Sequence, residues 1–95
     1  MKALTEQQID QHLEDLNGWD HHEDALHTAF EFDNFKDAFS VMTRIALEAE
    51  AMQHHPVLIS DGGSLEIKLT THDAGGVSEK DFEMARAIEH IVGEE

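Results

Sequence analysis

The sequence of 95 residues contains no cysteine and no tyrosine, a single proline, and 6 Lys and Arg residues against 21 Asp and Glu residues. The absence of cysteine excludes disulfide bonds, a thiolate nucleophile and a zinc site with cysteine ligands. The shortage of basic residues leaves a formal net charge of -15 at pH 7. Because nucleic acids and anionic lipids are bound mainly through Lys and Arg, this charge argues against a nucleic-acid partner and against a membrane partner.

Long apolar runs are also missing, so the sequence predicts no signal peptide and no membrane-spanning segment. We therefore expect a cytoplasmic protein. Its length fits a single domain over residues 1–95. A domain of this size buries only a modest core, and oligomerisation would help to stabilise it. The remaining composition is ordinary, with 40% hydrophobic residues, and predicts a folded chain.

Capping signals and apolar spacing predict three helices. The first begins at a capping box formed by Thr5 and Gln8, and the last begins at Ser78. The single proline, Pro56, restricts the residue before it to extended geometry and should stop the long helix. The predicted helices run from Thr5 to about Asp15, from Asp33 and Asn34 to about His54, and from Ser78 towards the end of the chain.

Two-residue alternation predicts two hairpins between these helices. The first pairs strands at about 18–22 and 25–32 around a polar turn in the HHED stretch at residues 21–24, to which His21 and His22 are assigned. The second pairs residues 57–59 with 65–71 across Asp61-Gly62-Gly63. The order is therefore α-β-β-α-β-β-α. The sequence predicts an α+β fold, a two-layer sandwich in which helices cover one face of a four-stranded, mainly antiparallel sheet.

The eight histidines offer the clearest chemistry. His54 and His55 lie where the long helix meets the proline, and His72 lies at the end of the last strand. Side chains at the ends of elements often project into functional loops. Histidine donates and accepts protons near neutral pH, so an adjacent pair with a third histidine could act at two positions of one substrate.

Each candidate also has a purely structural interpretation. Glu50 lies one helical turn before His54 and could orient that imidazole or form only a weak surface pair. Asp81 occupies a position where a carboxylate caps the last helix, and capping is favoured as its sole role. Trp19 suits core packing as well as a ligand site. The other histidines fit helix-end, solvated or turn positions: His12, His27, His90, His21 and His22.

A zinc site is the main alternative for the histidine cluster, since His54, His55 and His72 could be joined by Glu50 or Asp81. The spacing argues against it, because adjacent residues at a helix end point in different directions and the chain has no HExxH motif. No metal is therefore predicted.

Several motifs together resemble the pterin-4a-carbinolamine dehydratase family, which includes the dimerisation cofactor of a homeodomain transcription factor. They are EAMQHHP at residues 50–56, LTTHDAGG at 69–76 and Asp81, with Gly18-Trp19 and the aromatic series that begins at Phe30 upstream. The resemblance covers about residues 16–91. The chain departs from the family pattern at Gly62, where an aromatic residue is common. The feature that this difference concerns is an aromatic wall of the site or a contact between subunits.

The resemblance implies that 4a-hydroxytetrahydropterin loses water to give quinonoid dihydropterin, which restores the tetrahydrobiopterin used by aromatic amino-acid hydroxylases. It implies no cofactor, and it implies a homo-oligomer, a dimer or a tetramer built from dimers. By position, His54, His55 and His72 would be catalytic, while Glu50, Asp81 and Trp19 would contact the pterin; which histidine is acid and which is base stays open. Two alternatives remain, a non-catalytic oligomerisation module of the coactivator type with contacts on the long and last helices, including Met84 and Ile91, and a molybdopterin-linked role.

Overall fold

The computed structural model describes residues 2–94, so the two ends of the predicted domain, Met1 and Glu95, lie outside the described residues. The element order confirms the predicted α-β-β-α-β-β-α fold. The elements are α1 (Glu6–Leu13), β1 (Asp20–His22), β2 (Ala25–Glu31), α2 (Phe35–Met52), β3 (Val57–Asp61), β4 (Ser64–Leu69) and α3 (Glu79–Gly93), with a short 3₁₀ helix (His72–Ala74) before α3.

The four strands form one antiparallel sheet in the order β1-β2-β4-β3. Its two faces differ in burial because successive side chains along a strand point in opposite directions. On one face, Leu26 pairs with Leu69, and Leu58 pairs with Ile67. These side chains pack with apolar residues of α2 and α3, among them the fully buried Ile45 and Phe82. Among residues 2–94, no helix packs on the opposite face, where about half of Val57 and about half of Ile59 is exposed.

Local capping accounts for where the helices begin. Thr5 and Gln8 form the predicted capping box of α1, and Asn34 accepts a hydrogen bond from the Asp37 backbone N–H at the start of α2. Each contact supplies a partner for a backbone N–H that the helix leaves unpaired. The capping predictions are therefore confirmed.

The helix ends differ slightly from the prediction. The end of α1 lies at Leu13, before the predicted Asp15. The backbone N–H groups of residues 14–16 bond to the carbonyl three positions earlier, which is the pattern of a 3₁₀ turn and not of an α-helix. The end of α2 lies at Met52, before the predicted His54, because Gln53 adopts a left-handed backbone conformation. His54 and His55 consequently lie beyond the helix.

The predicted polar turn at His21 and His22 is wrong. Both residues belong to β1, where they pair with Leu26 and Ala25. The turn is formed by Glu23 and Asp24, both with positive φ, as a tight two-residue hairpin connection requires. The predicted strands at about 18–22 and 25–32 agree with the structure, and the three cross-strand pairs of β1 with β2 leave only Glu23 and Asp24 for the turn.

The last helix also corrects one expectation about contact surfaces. Met84 and Ile91 belong to the buried core of the chain itself and are not exposed for a partner. The exposed large apolar side chains of the helices lie on α2 instead, at Phe35, Phe39 and Leu47. Within residues 2–94, no helix combines the length and the apolar character needed to cross a bilayer.

Candidate active site

Three segments that are distant in sequence meet around one small cavity. They are the residues after α2, the residues that follow β4, and the first turn of α3. The cavity has a volume of about 250 Å³ and is lined by Gln53, His54, His55, Thr70, Thr71, His72, Asp73 and Lys80. Ligand pockets usually measure roughly 300–1,000 Å³, so this one suits a compact substrate. The structure thus brings together the three histidines that the sequence predicts.

His54 is the most enclosed of the three histidines, with 10% of its side chain exposed. Its Nε2 donates a hydrogen bond of 2.6 Å to Asp81 Oδ1. The left-handed turn at Gln53 and the extended residues that lead into Pro56 carry the imidazole across to α3. A buried imidazole held in this way has a fixed orientation towards the cavity.

Asp81 is fully buried and accepts three hydrogen bonds from protein groups. Besides His54, Thr71 Oγ1 donates to Oδ2 at 2.8 Å, and the Ser78 backbone N–H donates to the same oxygen at 2.8 Å. The last contact belongs to the capping box of α3. These hydrogen bonds offset the cost of taking a carboxylate out of water. Capping is therefore not its only role, contrary to the interpretation that the sequence favoured.

Glu50 contacts His55 and not His54, which corrects the predicted partner. Glu50 Oε1 lies 3.0 Å from His55 Nε2, and both side chains are mostly exposed, by 74% and 67%. The change of partner follows from Gln53, because the left-handed residue ends the helical spacing on which the prediction depends. Exposed pairs of this kind contribute little to stability. The pair leaves His55 accessible at the rim of the cavity.

His72 is the first residue of the 3₁₀ helix after β4, and it is exposed. Within the described part of the chain, its imidazole makes no hydrogen bond and no ion pair. A histidine that lines a cavity without a protein partner is accessible to a bound molecule. The three histidines therefore differ in environment: one is enclosed and held by a carboxylate, one is paired at the surface, and one is open.

Trp19 lies in the hydrophobic core and does not line this cavity. Only 4% of its surface is exposed, and its indole N–H donates a hydrogen bond of 2.8 Å to Glu89 on α3. The buried ring agrees with the core-packing interpretation of Trp19. A contact between Trp19 and a pterin stays a prediction.

The remaining histidines lie away from the cavity. His12 does more than the predicted helix-end role, because it pairs with Glu79 at 2.7 Å and stacks on the ring of Phe82. His27 stacks on His22 at the β1–β2 hairpin, with ring centroids 3.8 Å apart. Among residues 2–94, no group of three or more His, Asp and Glu side chains has an arrangement that could hold a metal ion.

Thr71 is one of the cavity residues to which the sequence prediction gave no role; the others are Gln53, Thr70, Asp73 and Lys80. Thr71 continues the alternation of β4 on the buried face, and only 8% of it is exposed. The sequence does contain a signal for this residue: a threonine stands where the strand alternation calls for an apolar side chain. Because a buried hydroxyl needs a hydrogen-bond partner, this signal indicates a polar contact inside the fold. The alternation alone does not identify that partner as Asp81, ten residues later.

Comparison with known proteins identifies the family of this chain. Residues 2–91 match the family described as "Pterin 4 alpha carbinolamine dehydratase". The chain belongs to this family. A relative from Christiangramia forsetii, provisionally named pterin-4-alpha-carbinolamine dehydratase, is 55% identical over 92 residues, which cover 97% of this chain and 95% of the relative. A relative from Mycolicibacterium vanbaalenii with the same provisional name is 40% identical over 98% of this chain and 100% of its own length.

A crystal structure from the same family has the same fold. It is described as a transcriptional coactivator/pterin dehydratase from Brucella melitensis, and it matches with a TM-score of 0.91 and 35% identity over 95% of this chain and 98% of that one. The predicted resemblance to the pterin carbinolamine dehydratase family is thereby confirmed. The family motifs at residues 50–56 and 69–76 are the segments that border the cavity.

Proposed function

We propose that this protein catalyses the dehydration of a 4a-hydroxytetrahydropterin to quinonoid dihydropterin. The observation that carries the proposal is the convergence of His54, His55 and His72 on one cavity next to a buried carboxylate. Membership in a family named for this dehydration supports it.

The reaction requires two proton transfers and no change in oxidation state. The carbon–oxygen bond of the ring hydroxyl breaks, and the hydroxyl leaves with an added proton as water. A ring nitrogen loses its proton, and the electron pair that remains forms a carbon–nitrogen double bond. Histidines can perform both transfers, because a neutral imidazole accepts a proton and an imidazolium donates one. General acid–base catalysis of this kind contributes a factor of about 10² to 10⁴ to the rate.

The environments of the histidines suggest a division of labour. His54 is enclosed and oriented by Asp81, which suits a group that must be in one position before the substrate arrives. His55 and His72 are more exposed and can exchange protons with water between turnovers. We propose tetrahydrobiopterin recycling after an aromatic amino-acid hydroxylase as the context, in a cytoplasmic protein that needs no cofactor.

The proposal is tested by the rate at which a synthetic 4a-hydroxytetrahydropterin loses water. We expect His54→Ala, His55→Ala and His72→Ala each to lower kcat/KM by about 10² or more, because each removes one proton-transfer group. His90→Ala is the matched control, since it removes an exposed histidine of α3 that pairs with Glu94 and does not line the cavity. Wild-type turnover in all three cavity variants would refute the assignment of the histidines.

A second candidate function is a binding module, favoured by the exposed apolar side chains of α2. Phe35 and Phe39 lie one helical turn apart and are 55% and 48% exposed, and Leu47, about two turns further along the helix, is 69% exposed. Rings on an otherwise acidic surface are typical of contact surfaces. If this surface forms a homo-oligomer, Phe39→Ser should lower the mass measured by light scattering, whereas Thr43→Ser on the same helix should not. A wild-type protein without turnover but with a stable assembly would favour this function over catalysis.

A further inference from the structure

The hydrogen bonds of Asp81 extend to a second buried hydroxyl that no proton-transfer role explains. Thr71 Oγ1 lies 2.6 Å from Ser78 Oγ, and all three residues are buried, with Ser78 and Asp81 fully so. Ser78 is the N-cap residue of α3, and Thr71 lies two residues after the end of β4. The two hydroxyls and the carboxylate therefore connect the end of the sheet to the start of the helix, directly behind His54.

The direction of each hydrogen bond in this side-chain network follows from the number of protons that each group can donate. A carboxylate only accepts, so the single hydroxyl proton of Thr71 goes to Asp81 Oδ2. Ser78 Oγ must then donate its own proton to Thr71 Oγ1. Its other contact, the Lys80 backbone N–H at 3.3 Å, uses only a lone pair and leaves that proton available. The order of donation is thus from Lys80 to Ser78, to Thr71, and to Asp81.

The same reasoning fixes the tautomer of His54. Asp81 Oδ1 accepts from Nε2, so Nε2 carries the proton and Nδ1 of the neutral ring is the acceptor. Nδ1 has no hydrogen-bond partner within residues 2–94. It is also not an enclosed atom, because among the described side chains that are not exposed the one buried polar atom without a partner is Ser60 Oγ. Nδ1 is therefore accessible, and it belongs to a residue that lines the cavity.

We propose that Thr71 and Ser78 are positioning residues, which hold Asp81 so that His54 is kept as the Nε2–H tautomer with Nδ1 as the base for the ring-nitrogen proton. This inference rests on the proposed dehydratase function. Without the Thr71 hydroxyl, one lone pair of Asp81 loses its donor and the carboxylate can rotate away from His54. The imidazole would then populate both tautomers, and a fraction of the enzyme would present the wrong nitrogen.

Thr71→Val tests the proposal, because it removes the hydroxyl and keeps the shape of the side chain. We expect kcat to fall by about tenfold to a hundredfold with little change in KM, since a small misplacement of a catalytic group has effects of this size. Thr71→Ser restores a hydroxyl and should recover most of the loss. Thr28→Val is the control, because it removes a β2 hydroxyl that binds the Gly18 carbonyl at 2.7 Å, outside the cavity.

The tautomer itself is measured by ¹⁵N NMR of the His54 side chain, which requires no turnover. We expect the Nε2–H form in wild type and in Thr71→Ser, and a mixture of the two tautomers in Thr71→Val. A proton on Nδ1 in wild type would overturn the proposal, and so would a Thr71→Val variant with the wild-type tautomer and wild-type kcat. If Thr71→Val does not fold, the wild-type spectrum still decides the tautomer.

The two proposals fail in different ways. A wild-type protein that does not dehydrate the pterin removes the proposed function, whatever the NMR spectrum shows. A wild-type protein that turns over, with His54 protonated on Nδ1, removes the positioning role of Thr71 and Ser78 and leaves the proposed function intact.

Discussion

At the scale of single residues, Asp81 combines a structural role with a role in the site. It closes the capping box of α3 and holds His54 within hydrogen-bond distance. Both roles use the same carboxylate, and each oxygen faces a different part of the molecule. A substitution at this residue should therefore affect the stability of the chain and the geometry of the cavity together.

We expect Asp81→Ala to lower the free energy of unfolding by about 2–4 kcal/mol, from the lost cap and from the buried Thr71 hydroxyl that loses its acceptor. Chemical denaturation measures this change as a lower midpoint. Glu83→Ala, at an exposed position of the same helix, is the matched control and should change stability by less than about 0.5 kcal/mol. Equal midpoints for the two variants would contradict the structural role of Asp81.

Glu94 gives a prediction about pH. A hydrogen bond from Arg44 and the nearby charge of His90 lower the pKa of the Glu94 carboxyl below its ordinary value of 4.5. Because the pKa is lower in the folded state, the carboxylate stabilises the fold fully above the ordinary pKa. This stabilisation is lost as the pH falls through the folded-state pKa.

Glu94→Gln should accordingly lower Tm slightly at pH 7 and have no effect in acid, where the wild-type carboxyl is also neutral. Thermal melts of both proteins across the acid range measure the difference. The effect is small because the group is exposed, and 1 M NaCl should reduce it further by screening. A difference in Tm that persists undiminished in acid would rule out the carboxylate as its cause.

At the scale of the elements, short-range signals were sufficient for most of the fold. The capping boxes at Thr5 and Ser78 and the strand alternation depend on residues a few positions apart, and all of them agree with the structure. The predicted partner of Glu50 and the assignment of His21 and His22 to a turn were wrong, because the first depends on the backbone conformation of Gln53 and the second on cross-strand register. The Thr71–Asp81 contact links a strand to a helix, and no local pattern contains that information.

The β3–β4 hairpin shows how closely two elements can approach. It turns through Gly62 and Gly63, and a Cβ atom added to Gly63 would lie 2.5 Å from the Phe32 carbonyl oxygen. That contact is with backbone, which cannot move aside as a side chain would. The Phe32 N–H also binds the Gly63 carbonyl at 2.8 Å, so the hairpin is joined to the end of β2 at this point.

Gly63→Ala should therefore destabilise the chain by about 1–3 kcal/mol through overpacking. Gly93→Ala is the matched control, because a Cβ there meets nothing within 4 Å and alanine favours helix. Differential scanning calorimetry should show a lower Tm for the first variant and an unchanged or slightly higher Tm for the second. Similar Tm values for Gly63→Ala and wild type would show that the backbone relaxes without cost.

At the scale of the whole molecule, the net charge of -15 is spread over a body with a radius of gyration of 12.9 Å and a longest dimension of 37 Å. The Debye length is about 30 Å at 0.01 M salt and about 3 Å at 1 M. At low salt, most of the acidic side chains therefore repel one another across the whole molecule. At high salt only close neighbours interact, and the fold loses this self-repulsion.

We expect Tm to rise from low salt to molar NaCl for this reason. A variant with Asp10→Lys and Glu83→Lys, both at exposed positions, carries less negative charge and should gain less from salt. Thermal melts of both proteins over the same range of NaCl measure the two gains. Equal gains would point to a general effect of salt on the folded state and not to relief of charge repulsion.

The cavity has a consequence for measuring affinity. Its walls come from segments 53–55, 70–73 and Lys80, which adjoin only in the folded chain. A molecule that occupies it binds the native state and not the unfolded one, so binding and unfolding are thermodynamically linked. A ligand at 100 times its dissociation constant would raise the free energy of unfolding by about 2.7 kcal/mol. Melting curves can therefore rank pterin analogues by affinity even when the enzyme does not turn them over.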